Sequence, residues 1–302
     1  MGRRKHGADI HGIVLLDKPV GITSNRALQK VRGIFQARKA GHTGSLDPFA
    51  TGMLPICLGE ASKTAAFMLE AGKRYRATAK LGVATTTGDV EGELLQTCPV
   101  PGIDTETLAQ TLQQFAGEIK QVPPMYSALK YEGKPLYEYA RAGIVIERPP
   151  RSVFIHHLEV LEWKSPFLTF DVHCSKGTYI RTLAEDIATA LNSCAHLTEL
   201  RRTFVEPFDE FPMKTLEQFQ EARDCGELDG GLLAVDAGLL DWPRVDMDTN
   251  QQGKFKHGQN FTLSKDESNK GMVRVYGVEG DLLGLAEVAS NGNLQPSRVF
   301  NL

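Results

Sequence analysis

The sequence predicts an α+β protein: a mixed, mainly antiparallel sheet flanked by helices, followed by a small β barrel at the C-terminus. Three observations predict it. Runs of period two, clearest at Lys73–Val83 and Leu168–Cys174, read as half-buried strands. Capped apolar stripes at helical spacing lie between them, as at residues 24–35, 104–117 and 178–191. From about residue 251 come short alternating runs separated by turn signals such as Asn291-Gly292-Asn293, the pattern of a small barrel. Between them, residues 204–250 are acidic and rich in Gly, Asp and Pro, so the domains are drawn at 1–240 and 241–302.

In chain order, Gly12–Leu16 is a short apolar strand ending in the turn Asp17-Lys18-Pro19. Ser24 is placed as the N-cap of a helix with Leu28, Val31 and Phe35 inward and Arg26, Lys30, Arg32, Arg38 and Lys39 on or near the exposed side. Residues 41–52, G-H-T-G-S-L-D-P-F-A-T-G, hold three glycines and a proline in twelve positions, which rules out a regular element and makes a shaped loop. Pro48 steers Asp47 toward an extended backbone that presents its carboxylate outward. Ser62 is taken to cap a short helix (Ala65, Met68, Leu69) closed by Gly72. Lys73–Val83 then puts Tyr75, Ala77, Ala79 and Leu81 on one face.

Thr85–Gly92 reads as a polar loop, and 104–117 as a surface helix stopped by Gly117. The stretch 121–143 interleaves Lys130, Lys134 and Arg141 with four tyrosines, a composition suited to phosphates and unstacked bases. Pro135 opens a short helix there. Strands are expected at 144–148, 151–163 and 167–174, then a helix from Thr178 that puts Tyr179 and Arg181 where strand becomes helix. One further helix is expected near 215–223, and the barrel strands at Gly271–Tyr276, Leu282–Ala289 and Leu294–Phe300.

Composition narrows the classes. With 41% apolar and 24% charged residues the chain is an ordinary globular protein. No apolar run approaches the roughly 18 residues that span a bilayer, and the basic N-terminus (Arg3, Arg4, Lys5) has no apolar segment behind it, so a cytoplasmic protein is expected. The formal charge of −3 hides an asymmetry: residues 1–80 hold 14 Lys and Arg against 5 Asp and Glu, the remainder 20 against 32. A basic segment on an acidic protein fits a polyanionic partner, or a solvated face with none. Five scattered cysteines without a C-x-x-C pair argue against a disulfide framework and a structural zinc, with Cys57 and Cys174 as small buried hydrophobes. Gly41 and Gly44 match neither nucleotide-binding glycine pattern.

Taken alone, Gly and Asp-Pro also make ordinary turns. The whole string from Gly41 to Gly59, however, resembles the catalytic loop of the pseudouridine synthases, most closely the bacterial TruB branch. Leu16–Pro19, Lys73–Arg76, Pro124–Lys130 and Ser175–Arg181 resemble the family's other signature segments in the expected order; the resemblance is strong over about 10–203 and weak beyond. It implies a pseudouridine-synthase catalytic domain with a PUA-like RNA-binding barrel, isomerising uridine 55 in the TΨC loop of tRNA after base flipping, with no cofactor or metal. The T-arm of tRNA is the expected partner, and the chain is taken as a monomer.

By the same resemblance Asp47 is the nucleophile, Tyr75 the base-stacking tyrosine and a proton mover, and Arg181 the cation beside Asp47. Tyr179 and Leu200 line the base pocket, His42 fills space near the extruded nucleotide, and Lys18 contacts RNA or supports the loop. Competing readings are a guide-RNA-dependent relative, an RNA-folding or RNA-binding protein with incidental catalysis, and an N-glycosidase.

Overall fold

The computed structural model describes residues 7–263 and 270–302, which leaves the basic residues Arg3, Arg4 and Lys5 outside the described part. The chain enters through β1 (Gly12–Lys18), α1 (Ser24–Ile34), β2 (Ala40–His42) and β3 (Thr51–Leu58). A 3-10 turn leads to α2 (Ala65–Met68), then β4 (Lys73–Leu81) and the hairpin β5 (Val83–Thr85) and β6 (Leu94–Thr97). Next come α3 (Thr105–Gln113), β7 (Gly117–Gln121), the small hairpin β8 (Lys130–Tyr131) and β9 (Lys134–Pro135), and α4 (Leu136–Arg141). The chain continues through β10 (Arg151–Lys164), β11 (Phe167–Cys174), α5 (Ile180–Ala190), β12 (Ala195–Val205) and α6 (Leu216–Asp224). The last part holds β13 (Arg244–Asp246), α7 (Thr249–Lys256), β14 (Phe261–Thr262), β15 (Gly271–Tyr276), β16 (Leu282–Val288) and β17 (Asn293–Val299).

One sheet, ordered β1-β3-β12-β4-β11-β10-β7 with β2 beside β3, carries the first two thirds of the chain. All its pairs are antiparallel except β12 with β3, which touch in parallel only at Arg201–Thr51 and Arg202–Gly52. Tyr75, Ala77, Ala79 and Leu81 of β4 face the buried side with Phe170 and Val172 of β11, covered by Leu183 and Ile187 of α5 and Leu108 and Leu112 of α3. The alternation that predicted β4 therefore has a direct cause: one face meets helices and the other, with Arg74 and Arg76, meets water. A second apolar layer packs α1 and α6 on Val14, Leu16, Leu54 and Ile56. Among the described residues no helix is long and apolar enough to cross a membrane.

The structure corrects several local expectations. Thr23, not Ser24, caps α1 through its hydroxyl (Arg26 N–H to Oγ1, 3.1 Å), because the Ser24 hydroxyl is engaged elsewhere. Ser62 lies inside a 3-10 turn and bonds back to Gly59 rather than capping α2. Gly117 opens β7, which pairs with Arg151–Ile155, instead of only ending a helix. No strand forms at 144–148. The cysteine reading also changes. Gly82 accepts from the Cys98 N–H (2.9 Å) and donates to the Cys194 carbonyl (2.8 Å), which brings two residues far apart in sequence to a Cα separation of 5.8 Å, where they form a disulfide. Cys57 and Cys174 are free and buried.

At the C-terminus five strands in the order β13-β15-β16-β17-β14 form a curled, open half-barrel around Val273, Val275, Leu283 and Phe255 of α7. It packs against the first part of the chain: Leu285 and Phe300 join Ile13, Met53 and Phe208 in one apolar cluster, and Lys63 Nζ donates to the Val299 carbonyl (2.8 Å).

Candidate active site

The loop that follows β2 has no ladder of its own, so its backbone groups need partners from elsewhere. Buried polar side chains supply them. Lys18, at the end of β1 and 0% exposed, donates from Nζ to the carbonyls of Pro19 (2.9 Å), Ile22 (2.8 Å) and Pro48 (3.3 Å). Arg202, on β12 and 1% exposed, donates to the carbonyls of Met53 (2.7 Å), Gly44 (3.2 Å) and Ser45 (3.5 Å). The Ser24 hydroxyl accepts from the Leu46 N–H (2.7 Å) and donates to its carbonyl (2.9 Å). Gly52, at φ +102°, lies against the Arg202 backbone where a Cβ would collide, so only glycine allows β3 to meet β12 there.

Held this way, the loop presents Asp47 to Arg181. The guanidinium Nε lies 3.1 Å from Asp47 Oδ2, and Nη1 lies 3.4 Å from Asp89 Oδ2. The remaining donors go to the carbonyls of Thr87 (2.7 Å) and Tyr126 (2.8 Å). With its donors thus committed and 5% exposed, Arg181 is fixed between two carboxylates. Asp89 is fixed in turn by the Glu91 N–H (3.0 Å) and the Thr87 hydroxyl (2.5 Å). The Asp47 side chain remains 38% exposed. Burial pushes its carboxyl upward; the Arg181 guanidinium opposes this, the Asp89 carboxylate adds to it and Lys18 subtracts, and the net direction is up. Burial therefore outweighs the guanidinium that was expected to hold the group down.

Asp47 stands between two cavities. One, about 310 Å³, is lined by Tyr75, Tyr179, Leu200, Lys73 and Arg202; the other, about 450 Å³, by His42, Glu91, Tyr137 and Arg141. They share Ser45, Leu46, Asp47, Ser127, Ala128 and Arg181. Both volumes fall in the range of clefts that take a small molecule. A larger hollow of about 570 Å³ between α1 and α6, beside Lys30 and Leu216, shares no residue with either.

The structure thus brings six of the seven sequence-derived residues to these cavities. Tyr75 is buried on β4, and burial raises its phenol pKa against the opposing pull of Arg202. Tyr179 caps α5, its backbone held by Gln121 (N–H to Oε1, 3.0 Å), and burial raises its phenol too. Leu200 lines the smaller cavity while belonging to the apolar core. The His42 ring is pushed down by burial and by Arg202, and its Nδ1 accepts from the Gly44 N–H (3.4 Å), both of which favour the neutral ring with its proton on Nε2. Lys18 is the exception. Its ammonium is sealed inside, with burial lowering its pKa to about 8, so it supports the loop and offers RNA no surface.

Sequence reading missed Asp89, Arg202 and Ser24's grip on Leu46. Asp89 lies in the polar turn Thr85–Gly92, and Arg202 follows Arg201 in a run without a clean apolar period. One signal was available for Arg202: a second arginine beside Arg201 in an otherwise β-prone run, where only one of the two can face water.

With that geometry established, comparison with known proteins is specific. Residues 32–180 match the family described as TruB family pseudouridylate synthase (N terminal domain). Residues 181–239 match the tRNA pseudouridylate synthase B C-terminal domain, and 243–300 the C-terminal domain of pseudouridine synthase II TruB. The chain is 47% identical over 302 residues to the tRNA pseudouridine synthase B of Mannheimia succiniciproducens, covering 99% of each chain. It is 46% identical to that of Haemophilus influenzae, covering 98% of this chain and 97% of the other. Among solved structures, a chain of a Cbf5-Nop10-Gar1 complex superposes with TM-score 0.73 at 25% identity, covering 96% of this chain and 85% of that one. A chain of an archaeal box H/ACA sRNP Nop10-Cbf5 complex gives 0.71 at 21% identity, covering 100% and 93%, and shows the same fold.

Proposed function

The chain belongs to the TruB family of pseudouridylate synthases and is an isomerase, a tRNA pseudouridine synthase, and from that premise we propose that it converts uridine 55 in the TΨC loop with Asp47 as nucleophile. The observation that carries the assignment of Asp47 is the Arg181 guanidinium 3.1 Å from its carboxylate, at the junction of two cavities. Arg181 opposes the burial that disfavours the ionised acid, and in this reading Asp47 acts as the anion that attacks or stabilises the sugar as the base departs.

In this reading the target uridine leaves the T-loop stack, at a cost of a few kcal/mol offset by stacking and backbone contacts. Its uracil enters the smaller cavity against Tyr75, Tyr179 and Leu200. The N1–C1′ bond breaks, the base turns, a C5–C1′ bond forms, and the proton leaving C5 is balanced by one gained at N1, so no redox partner or water is consumed. Tyr75, a phenol held protonated by its raised pKa, stacks on the base and is the group closest in kind to a proton carrier for that last step. The exposed cations Lys130, Lys134 and Arg141 face the RNA backbone, the curled C-terminal sheet adds a second RNA contact, and a monomer acts on the T-arm.

The test is incubation of unmodified tRNA with the purified protein and no guide RNA or other additive, followed by pseudouridine mapping. Modification is expected at position 55 alone, without free uracil. Asp47→Asn is expected to bind tRNA within about threefold of the parent yet form no pseudouridine. A requirement for added guide RNA, or release of uracil, overturns the reading.

A further inference from the structure

Ser127 stands where the two cavities meet. It is 6% exposed and lines both, and its Oγ is buried with no hydrogen-bond partner among the described residues. Its surroundings are fixed: its N–H donates to the Met125 carbonyl (2.9 Å) and its carbonyl accepts from the Tyr137 N–H (3.1 Å). The carbonyl just before it, on Tyr126, accepts from Arg181 Nη2 (2.8 Å), so the hydroxyl is placed relative to Asp47 through the same guanidinium. Ser127 acts on the Tyr179 phenol as a hydrogen-bonding neighbour that tempers its raised pKa, but among the described residues the two hydroxyls do not meet in hydrogen-bond geometry. Folded proteins rarely leave a buried hydroxyl unmet, and one on a wall shared by two ligand-sized cavities points to a partner that arrives with the ligand.

The position selects that partner, given the reading of the site above. With the base in the smaller cavity and the RNA chain in the larger one, the sugar joining them crosses the shared wall beside Asp47. The 3′ and 5′ oxygens of that sugar are phosphate esters and its ring oxygen only accepts. The 2′-hydroxyl alone both donates and accepts, as the serine hydroxyl does. We propose that Ser127 hydrogen-bonds the ribose 2′-hydroxyl of the target nucleotide and so makes the site prefer RNA to DNA at that position.

The test measures binding in the Asp47→Asn protein, where no substrate is consumed, with and without Ser127→Ala. The probes are T-arm stem-loops carrying uridine or 2′-deoxyuridine at the target position, followed by fluorescence anisotropy. With Ser127 present the ribose form is expected to bind about tenfold tighter, the factor one neutral hydrogen bond supports, and with Ser127→Ala the two forms should bind within about twofold. Ser127→Ala deletes an oxygen that has no hydrogen-bond partner among the described residues, so the melting temperature should not fall. A preference that survives Ser127→Ala, one absent from the start, or equal loss of both RNAs overturns the inference. If the parent protein makes no pseudouridine on tRNA, the underlying reading fails first; if it does and the ratio does not move, only the role of Ser127 fails.

Discussion

The two walls of the site are held in opposite ways. The loop wall, residues 43–53, has its carbonyls gripped by two buried cations and both backbone groups of Leu46 gripped by one serine. The facing wall, residues 124–143, is held at the Tyr126 carbonyl by Arg181 and otherwise rests on backbone bonds of its own, such as Leu136 N–H to Leu129 O (2.7 Å), and it leaves Lys130, Tyr131, Lys134 and Arg141 exposed. An irregular loop that must place one carboxylate within a fraction of an ångström needs donors from rigid strands, and β1 and β12 provide them. In the proposed reading the facing wall only has to attract and follow an RNA backbone, and it gains more from charges left in water. The contrast teaches that burial of a cation here marks positioning, and exposure marks attraction.

The sharpest way to break that contrast is at Asp89, which touches Arg181 and not the base pocket. Asp89→Asn removes one of the two carboxylates that orient the guanidinium, and a misplacement on that scale is expected to lower kcat about 100-fold with KM little changed. The pH profile separates position from charge. In the proposed mechanism Asp47 acts ionised, so activity is present above its raised pKa and lost as pH falls through it, and Asp89 is one cause of that rise. Replacing Asp89 should therefore move the acid limb of kcat to lower pH while the plateau drops. A plateau that holds would make Asp89 an electrostatic neighbour only.

Arg202 should give a smaller effect on rate and a larger one on stability. Arg202→Met keeps the apolar stem in the core but leaves the carbonyls of Gly44, Ser45 and Met53 without their donor. A loss of about 3 kcal/mol is expected from chemical denaturation, with kcat reduced about tenfold as the loop loosens. Unchanged stability would mean that water replaces the guanidinium and that the loop wall is less rigid than its hydrogen bonds imply.

How much of this was legible depended on whether a residue's role was local. The burial alternation of β4 and the stripe on α5 were readable because each element faces its own neighbours. The strand β12 was not, because His196, Glu199, Arg201 and Arg202 interrupt the apolar period and two register shifts bend it, although it lies between β3 and β4 in the middle of the sheet. Arg202 and Lys18 have the composition of surface residues, and only the tertiary fold shows that their charges are spent on carbonyls. Asp89 looked like turn chemistry, which it also is, through Thr87 and Glu91. The pairing of Asp47 with Arg181 came from the family resemblance alone, since no spacing rule connects a loop to a helix so far along the chain.

The mildest test lies on the exposed wall. Arg141 ends α4, lines the larger cavity, and holds its guanidinium 5.4 Å from the Tyr137 ring centroid. It makes no hydrogen bond to the loop wall among the described residues, so Arg141→Ala should leave the melting temperature unchanged. If it meets a phosphate, its loss removes one counterion-releasing contact: KM rises about three- to tenfold near 0.1 M salt, kcat stays put, and the slope of log KM against log salt becomes shallower by about one. Parallel titrations of the parent and Arg141→Ala between low and moderate salt would read all three. Should kcat fall as far as in Asp89→Asn, exposure would no longer distinguish attraction from positioning, and the two walls would have to be treated as one machine.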